Sequence, residues 1–228
     1  MTDHPDDKVH LAFSDKYDRA HAESYFRKHR QGWGRRLSTW REVQVARRAL
    51  RLAGSPGSVL DLPCGAGRFW PLLMEEGKRT VIGADYSADM LAVARAAYPE
   101  FSGRIRTLQT SAFAVDLADE AVACVFCMRL LHHVGGAAAR RRLLREFHRV
   151  TRETVIVSLW VDGNYKAWRR RRLEARRQAR GEADPQNRFV IAREQIEGEF
   201  AQAGFDILGR LDFLPGYQMW RTYVLRKR

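Results

Sequence analysis

The stretch Val59-Leu-Asp-Leu-Pro-Cys-Gly-Ala-Gly-Arg-Phe69 constrains the fold more than any other part of the chain. A short apolar run that begins on a β-branched residue turns through Pro63, Gly65 and Gly67 into RFWPLLMEEG, where apolar residues recur at helical spacing. The pattern predicts a strand, a tight turn and a helix. The same rhythm continues downstream. SVLDL (58–62), TVIGAD (80–85), RIRTLQ (104–109), AVACVFCM (121–128) and TVIVSLW (154–160) read as strands, and SADMLAVARAAY and AAARRRLLREFHRV between them read as helices. Strands that alternate with helices bury both faces of a parallel sheet, so the fold class is α/β and doubly wound.

Past Trp160 the rhythm changes. A basic helical stretch (163–181), a loop with Pro185, a helix at REQIEGEFAQAG and two strands, FDILGRLDF and YQMWRTYVLRK, close the chain, with Leu214-Pro-Gly216 as a turn. A length of 228 residues suits one domain of ordinary size. The three cysteines show neither a disulfide framework nor zinc-ligand spacing, and no metal is expected. MTDHPDDKVH lacks the apolar run of a signal peptide, and no window approaches the roughly 18 apolar residues of a membrane span. A reducing cytoplasm is the expected location.

In doubly wound sheets ligands bind beyond the carboxyl ends of the strands, which centres any site on the loop after the first strand. A phosphate-binding loop requires Gly-Lys-Ser/Thr, but Arg68 and Phe69 follow Gly67. The dinucleotide fingerprint requires a third glycine where Trp70 stands. Asp85, 24 residues beyond Asp61, ends the next strand at about the distance expected of a carboxylate that accepts ribose hydroxyls. The expected ligand is a nucleoside without a diphosphate.

DLPCGAG, then GADYSADML, then VFCMRLLHHV resemble the class I S-adenosylmethionine-dependent methyltransferases, in particular the small-molecule, ubiquinone-biosynthesis-like (type 11) branch. The resemblance covers residues 58 to 160, and REQIEGEFAQAGF with the two strands after it is similar to that family's C-terminal part. It implies a Rossmann-like, mostly parallel seven-stranded sheet with helices on both faces and a C-terminal antiparallel hairpin over residues 55–228, preceded by a helical cap over 1–54. It implies S-adenosyl-L-methionine as cofactor, with Asp61, Pro63, Cys64, Gly65, Ala66 and Gly67 around its methionine part, Asp85 on the ribose, and Tyr86 and Met90 flanking the adenine. Ser111 and Ala112 stand where the family usually has an acidic residue, and Cys127 and Met128 end the fourth strand beside the cofactor. Each has a simpler reading as well. An Asp at a strand end often caps a helix, and the cysteines can be small packing residues.

The acceptor side is expected beyond the fourth strand. His133, of Leu131-His132-His133-Val134, is the candidate general base, because an imidazole titrates near working pH. Tyr17 and Tyr25 of the cap and Arg129 are candidate acceptor contacts. Between the fifth strand and the hairpin the family commonly places its acceptor-binding element, and here that insert (163–188) is a basic helix in which Arg169, Arg172 and Arg176 share helical spacing.

The formal net charge is +13, with 34 of the 40 basic residues arginine. It is concentrated in two places. Residues 27 to 51 hold nine basic side chains against Glu42, and residues 166 to 180 hold eight against Glu174. Three functions fit: a methyltransferase for a small or lipid-linked anionic acceptor, with peripheral contact to an anionic membrane; an RNA methyltransferase that uses the arginine helix as its electrostatic footprint; and a noncatalytic cofactor-binding protein. The arginine run lacks the aromatic interleaving and appended module of RNA binders. The Pro-Cys dipeptide and the Asp/Asn-Pro-Pro-Tyr/Phe motif of base methylation are also missing. The first function is favoured.

Overall fold

The computed structural model describes residues 33–101, 103–181 and 188–228. Its sheet has seven strands in the order β3-β2-β1-β4-β5-β7-β6. They are β1 (Ser58–Asp61), β2 (Thr80–Asp85), β3 (Ile105–Gln109), β4 (Val122–Cys127), β5 (Thr151–Trp160), β6 (Phe205–Asp212) and β7 (Trp220–Lys227). The first five pair in parallel, and β7 runs antiparallel between β5 and β6. The seven-stranded sheet with a closing antiparallel hairpin is the one expected. The chain winds outward from β1 to β3 and then crosses back to β4, so the switch point lies between β1 and β4.

Among the described residues six helices cover the sheet: α1 (Trp33–Leu52), α2 (Trp70–Leu73), α3 (Ala88–Ala97), α4 (Ala137–Val150), α5 (Tyr165–Ala179) and α6 (Arg193–Gln202). Strand alternation divides the core into two layers. Cys124 and Phe126 of β4 face a cluster with Ala46, Leu50, Trp70, Leu73 and Val224. Val125 and Cys127 face the opposite cluster with Leu143, Phe147, Phe200 and Tyr223. All six residues of β4 are buried, as the near-continuous apolar run of a central parallel strand requires.

Of the region read as a cap, the described helix α1 buries Val45, Ala46, Ala49 and Leu50 against the sheet. Two expectations are revised. The helix after the glycine loop is a single turn, because buried Arg79 donates from Nη1 to Leu73 O at 3.0 Å and from Nε to Pro56 O at 2.9 Å, closing its C-terminal end. Strand β5 begins three residues earlier than read, where Thr151 Oγ1 bonds Ala123 O and Thr154 O beside a register shift in β4.

Candidate functional site

The loop between β1 and α2 is fixed by backbone bonds to both neighbouring strands. Leu62 N donates to Phe126 O at 3.0 Å and Cys64 N to Ala84 O at 2.8 Å, and the Leu62–Pro63 peptide is cis. Gly65 and Gly67 have φ of +53° and +75°, a region that disfavours side chains. Their surroundings differ. A β-carbon at Gly65 would meet nothing within 4 Å, whereas one at Gly67 would stand 2.9 Å from the Trp70 ring and 3.1 Å from Tyr98. Gly65 therefore leaves its backbone beside open space, and Gly67 makes room for packing. The close helix-to-strand approach survives Trp70 because the strand supplies the missing glycine, Gly83 of β2.

Two carboxylates meet beneath this loop. Asp85 Oδ2 accepts from Gly65 N and Oδ1 from Ser87 N, each at 2.9 Å, so the second strand's carboxylate holds the first strand's loop. Each oxygen keeps further lone-pair capacity for a ribose hydroxyl. Asp61, only 1% exposed, differs. Among the described residues neither of its oxygens has a hydrogen-bond partner. Burial pushes its pKa well above the usual carboxylate range, and the charge of Asp85 adds to the rise. The Trp70 indole stands close enough to lower it somewhat, without completing a hydrogen bond of good geometry. A buried carboxylate with no donor is costly unless a cation or donor arrives. The α-ammonium of a methionine moiety would meet that need, so the loop and both carboxylates fit the expected cofactor.

Ser87 caps α3, accepting from Met90 N at 3.3 Å. Met90 is buried and Tyr86 exposed at the end of β2. Ser111 turns its hydroxyl inward to accept from Phe113 N at 3.2 Å, and Ala112 is half-buried beside the core. Gln109, opposite Asp85 in the β2–β3 register, donates to Tyr86 O at 3.2 Å. Its side-chain carbonyl is an acceptor at the edge where Ser111 was expected to act. Cys64 and Met128 are buried, and Cys127 is sealed in the core with no exposed surface.

Beyond β4, Arg129 adopts φ +67°, a strained conformation for a residue other than glycine, and its N–H is held by Ser158 Oγ at 2.8 Å. Its guanidinium lies 5.3 Å from the Trp220 ring and 3.8 Å from Glu42 of α1, which also pairs with Arg68 of the glycine loop. The next turn, Leu131–His133, stacks His132 on its neighbours, with ring centroids 4.0 Å from His133, 5.0 Å from Trp160 and 4.7 Å from Trp220. Arg170 and Arg188 sit over the Trp160 ring at 5.1 and 5.9 Å. Burial, then His133 and these three arginines, push the His132 pKa down to about 2, so this ring stays neutral at working pH. His133 is half-buried beside it. Trp160 Nε1 and His132 Nδ1 have no hydrogen-bond partner among the described residues.

The structure brings the glycine loop, Asp61, Asp85 and Arg129 to one edge of the sheet. Arg169, Arg172 and Arg176 are exposed on α5, and it is Arg170 of the same run that reaches Trp160. Tyr17 and Tyr25 lie outside the described residues. The sequence reading missed Glu42, Trp160, Trp220 and Arg188, whose meeting depends on β5, β7 and α1 converging across the sheet. The sequence signal was that Trp160 ends an apolar run and Trp220 begins the last strand.

A site of this kind belongs to proteins that hold an adenosine-bearing cofactor by its ribose and its charged amino-acid end. Residues 59–154 match the family model described as a methyltransferase domain. The structure of magnesium protoporphyrin IX methyltransferase from Synechocystis PCC 6803 with bound SAH superposes with a TM-score of 0.73 at 14% identity, over 96% of this chain and 100% of that one. Two uncharacterized Schizosaccharomyces pombe proteins, one named a methyltransferase and one methyltransferase-like, are 27% identical over 143 residues and 30% over 87. The matches cover 62% and 38% of this chain, which spans only 53% and 32% of those relatives. Over residues 59–154, under half of its length, the chain thus matches a methyltransferase domain, and its fold is that of the methyltransferase structure on which it superposes.

Proposed function

We propose that this chain methylates a small or lipid-linked acceptor that carries an anionic group beside the accepting atom. The observation that supports this is the cluster past β4, where Arg129 lies over the Trp220 ring and Arg170 and Arg188 lie over Trp160. Guanidinium groups pair with carboxylate or phosphate in a fixed fork, which suits an acceptor that carries such a group. The bound cofactor supplies an electrophilic methyl group on a cationic sulfur. The chain's own part is to hold the acceptor in line and exclude water, which accounts for much of the rate in a displacement. Arg129, fixed through Ser158, orients the anionic group. Neutral His132 packs against Trp160 and Trp220, and half-buried His133 beside it is the imidazole that would take the acceptor's proton.

The test is transfer of labelled methyl to a panel of carboxylate, phosphate and lipid-linked acceptors, each with its neutral ester or amide. Acids are expected to react and their neutral partners to fail. Arg129→Gln should raise the acceptor KM by roughly 10- to 100-fold, the loss of one charge-assisted bond, and leave cofactor affinity unchanged. Equal turnover of acids and neutral partners would overturn the proposal.

A further inference from the structure

We propose that the outward face of α5, continued by the turn between β6 and β7, docks the protein on an anionic lipid bilayer. Helix α5 is fixed from one side. Asn164 caps it, accepting from Ala167 N at 2.9 Å, Ala167 is buried, and Arg170 pairs with Glu174 at 2.6 Å and donates to Arg188 O. Tyr165, Trp168, Arg169, Arg172, Leu173 and Arg176 stand at i, i+3, i+4, i+7, i+8 and i+11, which places them together on the opposite face. All six are exposed, Trp168 by 54% and Leu173 by 50%. Tyr217 of the turn stacks on Tyr165 at 5.7 Å with 10° between planes, and exposed Leu214 lies three residues before it. Among the described residues no carboxylate pairs with Arg169, Arg172 or Arg176, whereas Arg171 pairs with Asp162.

Two properties select a membrane over RNA. Ring faces that could stack a base are already in use, since Tyr165 and Tyr217 cover each other, Lys166 lies 5.3 Å from Tyr217, and Arg172 lies 4.9 Å from Trp168. Leu173 and Leu214 have no role against a phosphodiester backbone. Indole and phenol rings with leucines among unpaired arginines are what the headgroup region accepts: amphipathic rings sit at headgroup level, and each basic residue adds attraction to anionic lipid. Among the described residues no helix is long and apolar enough to cross a membrane, and the contact is peripheral. One helix then serves two sides, with Arg170 turned onto Trp160 and its outward arginines to lipid. This surface lies apart from the cofactor site and stands independently of the methyltransferase reading.

The experiment is co-sedimentation of the full chain with vesicles of phosphatidylcholine alone and of phosphatidylcholine with a quarter phosphatidylglycerol, at low and physiological salt, beside single-stranded RNA. Binding is expected to the anionic vesicles, weaker at the higher salt, and not to the neutral ones. The triple variant Arg169→Gln, Arg172→Gln, Arg176→Gln should lose about 100-fold in vesicle affinity. Trp168→Ser should lose about tenfold at both salts. Circular dichroism checks that both variants are folded. Absence of binding to anionic vesicles, equal binding to neutral ones, folded variants that bind as the wild type does, or binding to RNA alone would each overturn the proposal. Failure to bind cofactor with vesicle binding retained would count against the methyltransferase reading and leave the docking surface standing.

Discussion

A β-carbon on Gly83 would stand 2.7 Å from Cζ2 of the Trp70 ring, so the indole occupies the space that the strand leaves by having no side chain there. The clash is between backbone and a buried ring, and neither can swing away. Gly83→Ala should therefore destabilise the protein by about 1 to 3 kcal/mol, the usual cost of overpacking. The melting temperature should fall by roughly 2 to 4 °C per kcal/mol. Combined with Trp70→Phe, the losses should be less than additive, because the smaller ring relieves the same contact. Calorimetric melting of the four proteins tests it. An additive cycle would show that Gly83 and Trp70 are not packing partners.

That pair also shows what the sequence can and cannot reveal. Trp70 was readable as a departure from the dinucleotide fingerprint, because the fingerprint is a local spacing. Gly83 was not readable as its complement, because the two meet only when β2 and α2 stack. The same division holds elsewhere. The strands, Asp61, the glycine loop and Asp85 were legible, since alternation and loop chemistry are written within short windows. The arginine–tryptophan cluster was not: Arg129, Trp160, Arg170, Arg188 and Trp220 are brought together by strand order and an antiparallel insertion. In the arginine run, helical spacing grouped Arg169, Arg172 and Arg176 correctly on one face, but only the packing of Ala167 shows that this face points away from the body of the protein.

The two glycines of the loop should separate when substituted. Both carry positive φ, so alanine costs about 1 kcal/mol or somewhat more at either position. At Gly65 the new methyl group enters open space on the ligand side, and cofactor affinity should fall by at least tenfold with little further loss of stability. At Gly67 it meets Trp70 and Tyr98, so the main effect should be a lower melting temperature. Equal behaviour of Gly65→Ala and Gly67→Ala in binding calorimetry and thermal melting would show that Gly65 does not face the cofactor.

The last prediction concerns Asp61, whose carboxylate stands buried with no donor among the described residues. Its folded pKa lies well above the ordinary value of 3.8, with burial the larger cause and Asp85 the next. A group raised in this way favours folding fully below its unfolded pKa, and that contribution is lost as pH rises through the folded pKa. Without cofactor, Asp61→Asn should thus match the wild type in strong acid and become the more stable protein as pH rises from the ordinary value of 3.8 toward the folded Asp61 pKa, its advantage levelling off above it. About 1 kcal/mol would raise the melting temperature by roughly 2 to 4 °C. Cofactor binding should move the opposite way, because a cation at this position favours the ionised carboxylate. Wild-type affinity should rise with pH as Asp61 ionises, while the variant should bind weakly, down by about 1.5 to 3 kcal/mol at the alkaline end, with that rise abolished. Melting and calorimetric titration of both proteins across the same pH series measure the two effects together. If Asp61→Asn is less stable than the wild type at every pH, or binds cofactor with the wild type's own pH dependence, the buried carboxylate is a structural residue and not the seat of the methionine end.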